Sequence, residues 1–160
     1  MSNPHRIDVH HHLLPGFYVD AVGAVSVGAQ GSSGRVPAWS VEAALRGMDA
    51  AGICTAITSI SAPGFSPIAV EKAVVLARRC NDFAAQLMAD HPGRFGMFAA
   101  LPLPDVDACL LEVARAYDEL GADGVCLLTN YGGHYLGESG FEPGLAKVHR
   151  VCDEVRYTIS

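Results

Sequence analysis

Residues 53–61 read ICTAITSIS, residues 94–101 read RFGMFAAL, and a long helical segment at 67–91 lies between them. Both outer segments are short and mostly apolar, and the first is rich in β-branched residues, which is typical of buried strands. Proline–glycine pairs at 63–64 and 92–93 separate the three segments. A strand, a helix and a second strand in this order predict two parallel strands joined by a crossover helix.

The alternation of strand and helix continues in both directions along the chain. Strands are predicted at 7–12 and 124–129, helices at 105–120 and 141–153, and a fifth strand is an option at 155–159. Near-continuously apolar strands between helices predict a parallel sheet that is covered on its outer face. The sequence therefore predicts an α/β fold with about four βα units.

One more helix and two glycine-rich segments complete this prediction. Ser40 caps a helix that ends at Gly52. The Gly/Ser/Val-rich residues 17–38 are expected to form a mobile excursion, and residues 130–140 a glycine-rich loop. We therefore expect packed structure mainly outside these two segments.

Two parallel architectures remain open, an open doubly wound sheet and a (β/α)₈ barrel. No GxGxxG follows the first predicted strand, so the fingerprint of a dinucleotide-binding sheet is missing. A complete barrel needs about 250 residues, and roughly 200 at the least. A barrel chain of 160 residues is therefore expected to form about half of one.

Composition narrows the function classes. Half of the residues are hydrophobic and the formal net charge is −6, with 11 scattered Lys and Arg. No basic stripe indicates nucleic-acid binding, and no apolar run is long enough for a membrane helix. Five widely spaced cysteines suit reduced thiols, and the first residues do not resemble a secretory signal. The expected compartment is therefore the cytoplasm.

Three consecutive histidines, His10, His11 and His12, end the first predicted strand. Because side chains alternate along a strand, His10 and His12 share one face and His11 lies on the other. Two imidazoles at this spacing can bind one divalent ion, at the strand end where parallel barrels build their active sites. A purification-tag remnant and exposed histidines without a role are the alternatives. Polar residues on a buried strand need partners, which favours the metal.

The sequence also resembles a known family. IDVHHHLLP at 7–15 is similar to the HxH opening of the amidohydrolase superfamily. The order of SVEAALRGMDAAGI, HPGRFGMFAALPLPD and ELGADGVCLLTNYGGHYLG resembles the branch named for aminocarboxymuconate-semialdehyde decarboxylase. That branch also contains decarboxylases of 6-methylsalicylate and related aromatic acids. The resemblance covers roughly residues 6 to 145.

This resemblance implies a zinc-dependent (β/α)₈ barrel that releases CO₂ from a small aromatic or unsaturated carboxylic acid. It implies His10 and His12 as ligands of Zn²⁺ or another divalent metal. The family's further His ligand on strand five, its acid/base His on strand six and its Asp on strand eight have no counterpart in these 160 residues. The chain is therefore expected to be the N-terminal half of the barrel, one domain over 1–160, inactive alone and with its catalytic residues unknown.

Asn130 and His134 follow the fourth predicted strand and are the candidate substrate contacts. A turn-forming role for Asn130 and a solvent-exposed role for His134 remain open. A metal-dependent hydrolase of the same superfamily and a non-catalytic remnant are the alternative functions. A half barrel also has open sheet edges, which could pair with a second copy of the chain.

Overall fold

The computed structural model describes residues 6–31, 33–142 and 146, and a four-stranded parallel sheet lies at its centre. The strands are β1 (Arg6–His12), β2 (Ile53–Ser59), β3 (Phe95–Ala100) and β4 (Gly124–Cys126). They follow one another across the sheet in chain order, and neighbouring strands are parallel. This sequential order is that of a partial (β/α)₈ barrel, as predicted, whereas a doubly wound sheet reverses its strand order.

Helices connect the strands, and their ends follow local capping rules. They are α1 (Gly16–Val22), α2 (Ala24–Gly28), α3 (Val41–Ala51), α4 (Val70–Asp90) and α5 (Val106–Asp118). The Ser40 hydroxyl accepts a hydrogen bond from the Ala43 amide at 3.1 Å, which starts α3 as predicted. Gly52 ends it in the left-handed conformation, with φ at 65°.

The structure corrects the prediction for residues 17–38. Instead of an unpacked excursion, this segment contains most of α1 and all of α2. Tyr18 is fully buried, and its hydroxyl donates a hydrogen bond to the Gly64 carbonyl at 2.8 Å. Val22 is buried one turn later, so the two apolar side chains hold α1 against the core. Tertiary burial here overrides the loop-like Gly/Ser composition.

The glycine-rich segment 130–140 is also more ordered than predicted. It contains a short antiparallel hairpin of β5 (Asn130–Tyr131) and β6 (His134–Tyr135). Gly132 and Gly133, with φ at 64° and 91°, form the two-residue turn, because both positions need a positive φ. The predicted helix at 141–153 lies mostly, and the fifth strand at 155–159 entirely, outside the described residues.

The two faces of the sheet have different environments. Ala56, Met97 and Ala99 are fully buried in the hydrophobic clusters formed with the helices. We call the opposite face, which carries His12, Ser59 and Cys126, the inner face. In β1, Ile7 and Val9 are 63% and 61% exposed. The core therefore lies between the sheet and its helices, and β1 is the least covered strand.

A buried polar network joins α4, α5 and the end of β3. The Asn81 side chain accepts from the Ala100 amide at 2.8 Å and donates to the Ala100 carbonyl at 3.0 Å. It also donates to the Glu112 carboxylate at 2.7 Å. Arg115 binds that carboxylate through two nitrogens, at 2.6 and 3.0 Å. The network therefore fixes the carboxyl end of β3 relative to both helices.

Two further observations concern the described residues only. Among them, no helix is both long and apolar enough to cross a membrane. Four described cysteines are free thiols: Cys54, Cys80, Cys109 and Cys126. Cys152 lies outside the described residues.

Candidate metal centre

The imidazoles of His10 and His12 meet at the carboxyl end of β1. Their Nε2 atoms are 3.1 Å apart, and the ring planes are inclined at 69°. This separation would allow both nitrogens to reach one divalent ion at the usual distance of about 2.1 Å. The predicted shared face is thus present in the structure, whereas the ligand role of the pair remains a prediction.

An irregularity in β1 lies between Asp8 and His11. Asp8 pairs with Ala56 and His11 pairs with Thr58, so β1 advances three residues while β2 advances two. The extra residue makes this a β-bulge. As a result, Asp8 and His11 contact each other, with 3.2 Å between Oδ2 and Nδ1. His11 is thereby held away from the other two histidines.

Two polar groups that the sequence analysis did not identify lie beside His12. Its Nδ1 atom is 3.1 Å from the hydroxyl oxygen of Ser59, the last residue of β2. The thiol of Cys126, the last residue of β4, has a pKa that burial raises and that the nearby Ser59 side chain partly lowers. Both residues end mostly apolar strands, and that position was the available sequence signal, because it places them at the same edge of the sheet as His12.

The electrostatics of the site favour uncharged groups. Burial lowers the pKa of His12, and the neighbouring His10 lowers it further. His12 is therefore a neutral imidazole at neutral pH, which is the form that binds metals. Burial raises the pKa of the Cys126 thiol, so this side chain keeps its proton.

The two predicted substrate contacts lie in different surroundings. Asn130 lines a pocket of about 470 Å³ with residues that follow α2, β2 and β4, among them Gln30, Ser66 and Thr129. His134 is not among the residues that line it. Its Nδ1 atom is 2.9 Å from the Glu138 carboxylate, and both side chains are exposed. Contact of either residue with a substrate remains a prediction.

The described part of the chain supplies an incomplete set of metal ligands. Over residues 6–31, 33–142 and 146, no group of three or more His, Cys, Asp or Glu side chains is arranged to hold an ion. Catalytic zinc sites normally have three protein ligands. The His10 and His12 pair therefore fits one side of a metal site, and water or further ligands would have to complete it.

Comparison with known proteins identifies the family of the chain. The family model described as Amidohydrolase matches residues 7–151. Decarboxylase yanB of Aspergillus niger is 41% identical over 151 residues, which is 91% of this chain and 40% of that protein. The 6-methylsalicylic acid decarboxylase acuB of Aspergillus aculeatus is 38% identical over 91% of this chain and 44% of its own length.

A solved structure shows the same fold. The dihydroxybenzoic acid decarboxylase of Polaromonas, solved with manganese and the inhibitor 2-nitroresorcinol, superposes with a TM-score of 0.75 at 25% identity. The alignment covers 91% of this chain and 46% of that one. The chain thus spans less than half the length of the relatives it matches. With the family model covering nearly all of its residues and the HxH pair at the end of β1, the chain belongs to the amidohydrolase family.

Proposed function

We propose that this chain supplies two metal ligands and the N-terminal half of the barrel of a metal-dependent carboxy-lyase. The observation that carries the proposal is the 3.1 Å separation of the His10 and His12 Nε2 atoms at the carboxyl end of β1. The matched relatives support the reaction class, because all three are decarboxylases by name. Two of these names specify a hydroxylated aromatic acid, so a small aromatic carboxylic acid is the proposed substrate.

The proposed cofactor is a divalent metal. The family resemblance implied zinc, whereas the Polaromonas structure contains manganese. When bound, such an ion would supply a Lewis acid that stabilises negative charge on the substrate. His10 and His12 would hold it with their Nε2 atoms, and manganese is the first metal to test. The wide spacing of the five cysteines supports a cytoplasmic location for this reaction.

Metal titration of the isolated chain tests the ligand assignment. We expect Mn²⁺ binding by wild-type protein to be weak, because two histidines leave most of the coordination shell to water. His10→Ala and His12→Ala should each abolish it, as measured by calorimetry and by the electron paramagnetic resonance signal of free Mn²⁺. His11→Ala is the matched control and should bind like wild type. Equal binding by wild type and His12→Ala would overturn the assignment.

A second assay tests the reaction. We expect no measurable CO₂ release from 6-methylsalicylate or dihydroxybenzoates by the isolated chain with added Mn²⁺ or Zn²⁺. Loss of acid/base help alone costs about 10²–10⁴-fold in rate, and the described residues include no third ligand. Metal-dependent turnover that disappears in His12→Ala would contradict this expectation. It would also favour a site completed by a second copy of the chain.

A further inference from the structure

The pocket of about 470 Å³ lies among the segments that follow α2, β2 and β4. Small-molecule sites typically have volumes of about 300–1,000 Å³. Neither His10 nor His12 is among the residues that line this pocket. A ligand can therefore contact its walls whether or not a metal is bound at the two histidines.

The walls of the pocket combine apolar and polar groups without a charge. No Lys, Arg, His, Asp or Glu is among the described residues that line it. Apolar surface comes from Ala62, Pro63 and Leu128, and the polar side chains are two amides and two hydroxyls, those of Gln30, Asn130, Ser66 and Thr129. The pocket thus suits a ligand that has apolar faces and a polar but uncharged rim.

The polar side chains of the pocket are available to a ligand. Among the described residues, none is hydrogen-bonded to the side chain of Ser66, Thr129 or Asn130. The Gln30 amide makes a long contact, with 3.4 Å between Nε2 and the Ser26 carbonyl oxygen. Amides and hydroxyls both donate and accept hydrogen bonds, so they match the hydroxyl groups of a ligand, which do the same.

One wall of the pocket is held in place by a buried side chain. The Tyr131 hydroxyl accepts a hydrogen bond from the Leu128 amide at 2.8 Å, and Tyr131 is 4% exposed. This bond closes the short segment that carries Thr129 and Asn130 between its two ends. The wall is therefore formed before a ligand binds, which lowers the entropic cost of binding.

We propose that this pocket binds an uncharged aromatic ring that carries hydroxyl groups, and that Gln30, Ser66 and Asn130 determine its specificity. A carboxylate inside the pocket would lose its hydration without gaining a cation, which costs free energy. The charged end of an aromatic acid therefore lies outside it. The binding of a phenol does not depend on the proposed function, whereas the use of the pocket for the ring of a carboxy-lyase substrate rests on that function.

Nuclear magnetic resonance of metal-free protein tests the pocket with resorcinol, a ring with two hydroxyls and no carboxylate. We expect the side-chain amide signals of Gln30 and Asn130 to shift saturably on titration. The amide signal of Gln86 is the internal control and should not move, because Gln86 lines a different groove and donates to Asp90 at 2.8 Å. 2,6-Dihydroxybenzoate, which adds a carboxylate to the same ring, should bind the metal-free protein about tenfold more weakly than resorcinol.

Variants of similar size test the individual contacts. Gln30→Met and Asn130→Leu each remove the polar group of an exposed side chain, so the fold should be unaffected. Each should weaken resorcinol binding by about 2–10-fold, which corresponds to the loss of one hydrogen bond. Gln86→Met is the matched control and should bind resorcinol like wild type.

The proposal would be overturned by unshifted Gln30 and Asn130 signals, by an equal shift of the Gln86 signal, or by 2,6-dihydroxybenzoate binding as tightly as resorcinol. Unchanged affinity in both pocket variants would remove these side chains as specificity-determining residues. Failure of the proposed function gives a different pattern. If wild type binds no Mn²⁺ while resorcinol shifts the pocket signals, the metal assignment fails and the pocket remains. If Mn²⁺ binds and resorcinol does not, the pocket alone is refuted.

Discussion

The side chains of Cys80 and Cys109 are buried in the core, whereas that of Cys54 is only half-buried. Burial raises the pKa of both the Cys80 and the Cys109 thiol to about 12. Since the thiolate is the reactive form, a raised pKa and a closed environment both slow alkylation. We expect iodoacetamide at about pH 8 to label Cys54 well before Cys80 or Cys109. Peptide mass spectrometry over a time course measures the three rates.

The control is the same reaction in concentrated guanidinium chloride. Unfolding removes the burial, so the three thiols should then react at similar rates. Native labelling of Cys80 as fast as that of Cys54 would show that the core opens readily or is packed differently. Equal protection of all three thiols would contradict the exposure of Cys54.

Two glycines give opposite expectations for the same substitution. A Cβ atom at Gly96 of β3 would collide with the Ile57 side chain and the Asp123 carboxylate, which accepts from the Met97 amide at 2.9 Å. Gly96→Ala should therefore lower the free energy of unfolding by about 1–3 kcal/mol. A Cβ at Gly47 in α3 meets nothing within 4 Å. Gly47→Ala should raise stability by up to about 1 kcal/mol. Urea unfolding followed by circular dichroism compares the two.

The contact between α4 and α5 depends on the paired charges of Glu112 and Arg115. Their side chains are 6% and 9% exposed, and Asp82 adds an exposed carboxylate to the same guanidinium. Arg115→Ala would leave the Glu112 carboxylate buried without its cation. We expect this to lower the free energy of unfolding by about 3–5 kcal/mol. Thermal and urea unfolding measure the loss.

Asp82→Ala provides the matched control for this prediction. It removes the 2.6 Å contact to Arg115 from a side chain that is 56% exposed. Exposed ion pairs contribute about 0–1 kcal/mol, so the change should be small. A comparable loss in both variants would mean that the buried pair is not the main connection between the helices.

The strands and long helices could be predicted from sequence because their signals are local. The apolar segments at 53–61 and 94–101 end within two residues of β2 and β3. Helices α1 and α2 could not be predicted, because their stability comes from distant contacts such as that of Tyr18 with Gly64. Secondary-structure propensity and glycine content contain no information about contacts between residues that are far apart in the sequence.

The sequence likewise predicted only part of the candidate site. The i, i+2 spacing of His10 and His12 placed both on one face, although the irregular register beside Asp8 was not foreseen. Ser59 was missed because its contact with His12 joins residues 47 positions apart. Sequence alternation assigns a residue to a face of its own strand, but not to a neighbour on another strand.

Among the described residues, the edge strand β1 is a weakly covered part of the molecule. Ile7 and Val9 are exposed, and in the described residues β1 pairs with β2 alone. Exposed apolar residues on an open strand edge favour association. We expect the isolated chain to self-associate with increasing concentration, and Val9→Lys to reduce this, as measured by size-exclusion chromatography with light scattering.

Leu111→Lys is the control for this measurement. Leu111 is 74% exposed, but it lies on helix α5 rather than on a strand edge. The Leu111→Lys substitution should therefore leave the self-association of the chain nearly unchanged. An equal effect of both substitutions would indicate general hydrophobic aggregation, and a monomer at all concentrations would contradict the expectation.

The bulge in β1 also has a consequence for changes in chain length. In a regular strand, deleting one residue turns part of the strand onto the wrong face. Here Asp8 and His11 already have their partners in β2, and the two residues between them, Val9 and His10, lie opposite a single residue of β2. Deleting Val9 would absorb this surplus and keep His10 and His12 together on the inner face. We therefore expect the strand to tolerate the loss of one residue just before its histidines with the site unchanged.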